Sequence, residues 1–176
     1  MRRIRIVVAY DGTNYCGWQI QPNGITIEEI LNRQISKLTG EDIRIIGASR
    51  TDSGVHALGN VAVFDTESRI PGDRFAYALN QKMPEDIVIV RSDEVQIDWH
   101  PRYQNEISKT YEYHIYNAKV RNPLKNRYST FVSFDLDVEK MRQGAKYILG
   151  EHDFASFCNV RTNAKDTVRT VHEITI

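Results

Sequence analysis

Residues 48–59, ASRTDSGVHALG, bring an arginine, a carboxylate and an imidazole into one short stretch, with Arg50, Asp52 and His56 grouped around a single glycine, Gly54. Asp-Ser-Gly is ordinary turn chemistry: the Asp side chain bonds nearby backbone N–H groups and glycine takes a positive φ. The neighbours add a second reading. An arginine beside a loop carboxylate favours its ionised form, and an ionised carboxylate in a sheltered cleft serves as nucleophile or general base. A second carboxylate for paired glycosidase work is not obvious nearby, because Asp65 and Glu67 lie across a strand from the loop. Glycoside hydrolysis is thus disfavoured. His56, near a turn, reads as loop support rather than as a catalyst.

The elements that must position this loop follow from periodicity. Residues 2–10 alternate Ile4, Ile6 and Val8 with Arg3, Arg5 and Val7 before Asp11, Gly12 and Asn14 break the pattern, so a strand is expected there. Thr26 is a good N-cap, and Ile27, Ile30, Leu31, Ile35 and Leu38 make one apolar stripe ending at Gly40, so a helix follows. Strands are expected at 43–46 and 61–64, with the loop between them. Pro71 opens a second helix carrying Phe75, Ala76, Leu79 and Met83 up to Pro84, and 87–90 is another strand. The order is strand, helix, strand, strand, helix, strand, the split pattern of an α+β lobe with helices on one face of a mostly antiparallel sheet.

A second lobe begins near Lys109. KTYEYHIYN alternates Tyr111, Tyr113 and Ile115 against Thr110, Glu112, His114 and Tyr116, which predicts a strand. A helix is expected from Asp137, with Val138, Met141, Ala145, Ile148 and Leu149 as its apolar side and Gly150 as its end. The final RTVHEITI reads as a strand. The lobe boundary falls near residue 105, and by this count the second lobe is only about half built.

Composition narrows the function classes. Lys and Arg together number 23, as do Asp and Glu, so no net field draws the chain to nucleic acid or membrane and any RNA contact must rest on local charge. Such charge is found from residue 100 to 130, where Arg102, Lys109, Lys119, Arg121, Lys125 and Arg127 outnumber Glu106 and Glu112. This stretch is either a phosphate-binding strip or, for 119–127 especially, a solvated loop. Cys16 and Cys158 lack CxxC spacing, which argues against a metal knuckle and a disulfide framework. His152 and Asp153 are two ligands without a third, so they read as a helix-end and loop feature and no metal site is expected. There is no signal-peptide pattern and no apolar run long enough for a bilayer, so a cytoplasmic location is expected.

Read together, these residues resemble the tRNA pseudouridine synthase A family over essentially the whole chain. RTDSGVHA at 50–57 is similar to that family's RTDxGVHA signature. It is supported in order by YDGTNYCGWQIQ at 10–21, ALNQKMPEDI at 78–87, WHPRY at 99–103, KTYEY at 109–113 and GEHDFASF at 150–157.

The resemblance implies an α+β pseudouridine synthase fold: a mostly antiparallel mixed sheet flanked by helices, in two related lobes with a cleft between them. Residues 1–105 would form the lobe carrying the Asp52 loop and 106–176 an incomplete second lobe. It implies an isomerase that turns uridine into pseudouridine on the 3′ side of the tRNA anticodon stem-loop, without cofactor or metal, as a homodimer whose partner is tRNA rather than DNA or membrane. Asp52 is then the catalytic residue, acting on a flipped-out uridine. Whether it adds to the base, attacks the sugar carbon or removes a sugar proton stays open.

By the same resemblance Tyr111 stacks on the target base and is a candidate proton acceptor; an aromatic on an inward strand face can offer a ring to a base removed from its stack. Arg50 positions Asp52, His56 supports the loop, and Arg102 and Lys109 contribute to substrate binding. Trp18 and Gln19 brace the sheet, and Phe154 and Phe157 read as core. Family members continue beyond the equivalent of Ile176, so a shortened chain is expected. The alternative is therefore a truncated, inactive tRNA-binding module of the same fold. A weaker rival is a carboxylate-dependent glycosidase or base-excision enzyme that releases free base.

Overall fold

Strand β1, Arg2–Tyr10, carries alternate residues to opposite faces of a sheet, and only one of those faces is apolar. In the computed structural model, which describes residues 1–103, 108–158 and 166–176, Ile4, Ile6, Val8 and Tyr10 of this strand are buried. They cluster with Ile27, Ile30, Leu31 and Ile35 of α1 (Ile27–Thr39) and with Phe75 and Leu79 of α2 (Phe75–Asn80). Contacts divide the chain into two units, Met1–Thr110 and Tyr111–Ile176. The boundary expected at residue 105, together with Glu106, lies outside the described residues.

The first unit is built on one antiparallel sheet. Its remaining strands are β2 (Ile46–Gly47), β3 (Ala57–Thr66) and β4 (Ile87–Val95), in the spatial order β2-β3-β1-β4. Register is held from both faces. Ile4 pairs with Phe64 and Ile6 with Ala62 on the buried face. On the other face Arg3 forks onto Asp65, at 2.7 and 2.8 Å, and Arg5 onto Asp93, at 3.1 and 2.7 Å. A slip of one residue would put isoleucine and arginine on the wrong sides together, so the register is strongly specified. Helix α1 starts and stops where expected: the Thr26 hydroxyl accepts from the Glu29 N–H and Gly40 takes the left-handed conformation at φ 77°.

Two elements differ from expectation for a visible reason. Residues 43–45 are not a strand, because the Ile43 N–H donates to Ser36 Oγ and the Ile45 N–H to Asn32 Oδ1, each at 2.9 Å, so helix side chains take the place of a strand partner. The second helix is shorter than 71–83 suggested. It is a 3₁₀ turn, Gly72–Arg74, followed by α2, which stops where the Asn80 side chain exchanges two hydrogen bonds with the Ile89 backbone of β4.

The second unit contains β5 (Ile115–Asn117), β6 (Thr130–Val132), α3 (Val138–Ala145), β7 (Gly150–Asp153) and β8 (Val168–Val171). β5 runs parallel to β6, and β7 antiparallel to β8. The strand expected from Lys109 begins only at Ile115, leaving Tyr111 and Tyr113 exposed outside any strand. His152 and Asp153 stand in β7, not at a helix end, and Phe157 is 82% exposed where a core position was expected. The C-terminal strand closes at Val171, short of the expected end. The architecture of these elements is α+β.

Candidate active site

The antiparallel pairing of β1 with β3 brings the end of one strand to the start of the other, since Tyr10 pairs with Ala57 across an irregularity in the ladder. Two loops therefore lie side by side, the segment after β1 and the 48–56 segment before β3. The first is shaped by Asp11, which caps a 3₁₀ turn, Gly12–Asn14, by accepting from the Thr13 N–H at 3.0 Å. Asp86 then holds that turn. Its backbone carbonyl accepts from the Asp11 N–H at 2.9 Å, and its carboxylate accepts from the Tyr15 hydroxyl at 2.5 Å. Burial first, then the Asp86 bond, raises the Tyr15 phenol well above its ordinary pKa, so it stays a donor.

The second loop is moulded onto the first. The Val55 N–H donates to the Asp52 carbonyl at 3.2 Å, with Gly54 at φ 79° in the third turn position, the sign of φ that a type II turn requires there. The Gly54 N–H and the Ser53 hydroxyl both donate to the Tyr15 carbonyl at 3.2 Å. The Trp18 N–H donates to the Thr51 carbonyl at 3.0 Å. This approach is close enough that a Cβ on Gly17 would overlap the Thr51 carbonyl oxygen, and Gly17 itself has φ 81°. Only glycine meets both demands.

His56 closes the loop from its far end. Its Nδ1 lies 3.1 Å from the Gly12 N–H nitrogen and 3.1 Å from Asp11 Oδ1. The neutral ring accepts from Gly12 through Nδ1, and the imidazolium instead donates to the Asp11 carboxylate. Asp52 and Arg50 are both exposed, and among the described residues no ion pair joins them. The Asp52 carboxylate is thus open to a ligand, while the backbone on either side of it is fixed.

The other expected residues are spread over both units. Arg102 belongs to the first, where its Nε donates to the Gly47 carbonyl at 2.8 Å. Lys109 also lies there, exposed and outside any element. Tyr111 lies in the second unit, 78% exposed. Of the remaining basic residues, Lys119 pairs with Asp135 at 2.8 Å and Arg121 lies over the Phe131 ring at 4.8 Å, both in the second unit. Among the described residues no group of three or more His, Cys, Asp or Glu side chains is placed to hold a metal ion.

Sequence reasoning passed over two residues that shape the loop. The hydroxyl of buried Tyr10 lies 2.9 Å from Thr51 Oγ1, and buried Asn60 donates to the Ser49 carbonyl at 3.1 Å. In the sequence Tyr10 ends an alternating strand and Asn60 stands just before the strand expected at 61–64, which the structure extends to Ala57–Thr66, and neither residue type gives a sign of what its polar end will meet.

Comparison with known proteins bears on what this arrangement is for. A family model described as tRNA pseudouridine synthase matches residues 6–104 and 145–176. A tRNA pseudouridine synthase A of Acetivibrio thermocellus is 49% identical over 176 residues, covering 100% of this chain and 72% of that protein. Proteins of the same name from Thermoanaerobacter pseudethanolicus and Brevibacillus brevis are 46% and 44% identical, with the same coverage.

Proposed function

This chain belongs to the tRNA pseudouridine synthase A family, and from that membership we propose that it isomerises uridine in the anticodon stem-loop of tRNA with Asp52 as its catalytic residue. It is an isomerase acting on tRNA uridine. The observation that carries the assignment of Asp52 is the loop itself. A carboxylate with no side-chain partner among the described residues projects outward from backbone that is hydrogen-bonded on both sides. A uridine taken out of its stack exposes its glycosidic bond to such a group. The carboxylate then acts on that bond as nucleophile or base, and uracil is reattached through carbon without leaving the site.

Arg50 and His56 complete the loop. Arg50, exposed beside Asp52, would fill the space vacated by the flipped nucleotide or meet its phosphate, and His56 would keep the turn closed against Asp11 and Gly12. Tyr111 offers an exposed ring face of the kind on which a base stacks. Arg102 and Lys109 are assigned to phosphates. Arg102 spends one donor on Gly47 and keeps the rest of its guanidinium fork. A cytoplasmic homodimer belongs to the same proposal, and sedimentation of the protein with and without tRNA tests the dimer.

The deciding experiment is pseudouridine formation in unmodified tRNA by the wild type and by Asp52→Asn. The variant should lose roughly 10³-fold or more in turnover while binding tRNA as before, since a reacting group is removed and the fold left intact. Near-normal turnover by Asp52→Asn would overturn the assignment.

A further inference from the structure

The Asp52 carboxylate makes no hydrogen bond or ion pair among the described residues, so its direction is set by its backbone alone. What fixes that backbone therefore positions the reacting group. Downstream the anchor is the Tyr15 carbonyl, which holds Ser53 and Gly54. Upstream the anchors are the Trp18 N–H on the Thr51 carbonyl, the Asn60 amide on the Ser49 carbonyl and the Tyr10 hydroxyl on Thr51 Oγ1. Of these, only the Tyr10 contact is a side chain bonded to the side chain of the residue directly before Asp52.

From this geometry we infer that Tyr10 is a positioning residue of the reaction, its buried hydroxyl holding Thr51 and through it the aim of the Asp52 carboxylate. The inference rests on Asp52 being the catalytic group. Tyr10 is 5% exposed, and its ring is anchored 5.9 Å from that of Trp18, so the hydroxyl is presented by a rigid body rather than by a flexible side chain. Burial raises its pKa, with Thr51 and Asn60 partly offsetting the shift, so the phenol stays protonated through the neutral range. Thr51 is held at two points, Oγ1 and the carbonyl, which removes the rotation that would swing Asp52. A misplacement of about 1 Å at a reacting group costs on the order of 10²-fold in rate, and substrate binding need not change with it.

The test is a set of single-turnover rates on unmodified tRNA, with tRNA affinity and melting temperature measured for every protein of the set. Tyr10→Phe removes only the hydroxyl. It should lower the single-turnover rate about tenfold to a hundredfold while tRNA affinity stays within about twofold of wild type. Thr51→Val should do the same, Thr51→Ser should retain the wild-type rate, and the Tyr10→Phe/Thr51→Val double variant should be no slower than the slower single variant. A wild-type rate in Tyr10→Phe overturns the inference, as does a Thr51→Val variant as fast as Thr51→Ser. If Tyr10→Phe does not fold, the two Thr51 variants decide by themselves. Asp52→Asn measured alongside separates the two readings. Its retained turnover would remove the premise, whereas its loss together with wild-type rates in Tyr10→Phe and Thr51→Val would remove the positioning role alone.

Discussion

In the first unit the inward residues of β1 are fully buried against α1 and α2, whereas no described residue of the second unit is buried. Both units contain capped helices and paired strands, so local structure is not what separates them. Helix α3 has its N-cap in Asp137, which accepts from the Lys140 N–H, the same device that opens α1, but it closes at Lys146, short of the expected end at Gly150, which instead begins β7. The difference lies in what the apolar face meets. Val138 of α3, and Ile148 and Leu149 in the turn beyond it, are exposed, while Ile27, Leu31 and Ile35 of α1 are not. The comparison teaches that caps and turns are satisfied by a few neighbouring residues, but that a strand or an apolar stripe takes its final form only from what packs on it.

The strongest way to break this comparison is to remove one large apolar side chain from each unit. Phe75→Ala opens a hole beside Phe64, whose ring stands 5.3 Å away edge-on, and should cost about 3–5 kcal/mol. Phe157→Ala, on an 82% exposed side chain, should change stability by no more than about 0.5 kcal/mol. Urea unfolding of both variants decides the matter, and equal losses would show that the units do not differ in this way.

A middle-sized effect probes the local devices. Thr26→Ala removes the acceptor of the Glu29 N–H at the start of α1 and should cost about 1 kcal/mol, most of it restored by Thr26→Ser. Thermal melts of the three proteins would sharpen how much of α1 is cap and how much is core. The smallest effect is expected at α3. The Asp137 carboxyl is held below the usual carboxylate range by the Lys140 backbone N–H first and by the Lys140 side chain next. Since its folded pKa is the lower one, its contribution is complete above the unfolded value of about 4 and is lost as pH falls through the folded value. Residue-resolved NMR shifts at Val138–Ala145 should therefore lose helical character on acidification below about pH 4. Unchanged shifts there would mean that the cap does not hold this helix.

The legible parts of the fold were those whose signals are local or tied to burial in a single pattern. β1 was readable because Arg3 and Arg5 alternate with Ile4 and Ile6 and the inward face continues through Val8 to Tyr10, and α1 because a cap, a stripe and a terminal glycine agree. Residues 43–45 misled because alternating isoleucines look the same whether their N–H groups go to a strand or to Ser36 and Asn32. KTYEYHIYN misled for a related reason. Alternation states which faces a strand would have, but a ladder needs a partner, and only 115–117 finds one in β6. In the candidate site, Arg50, Asp52 and His56 were legible together because they stand within one short loop. Tyr10 and Asn60 were not, because the chain meets Thr51 and Ser49 there only after β1 and β3 have paired.

The sequence by itself determined the turn chemistry of 52–55, the boundaries of α1, the alternation of β1 and the family to which the chain belongs. Each of these is written in residues close together or in motifs kept in order. The tertiary structure alone decided that the Asp52 loop is cast against the segment after β1, with Gly17 under the Thr51 carbonyl and the Tyr10 hydroxyl on its side chain. The physical reason is that hydrogen bonds between residues some 40 positions apart exist only once strand register has brought them within about 3 Å, and register is set by the burial of a whole face.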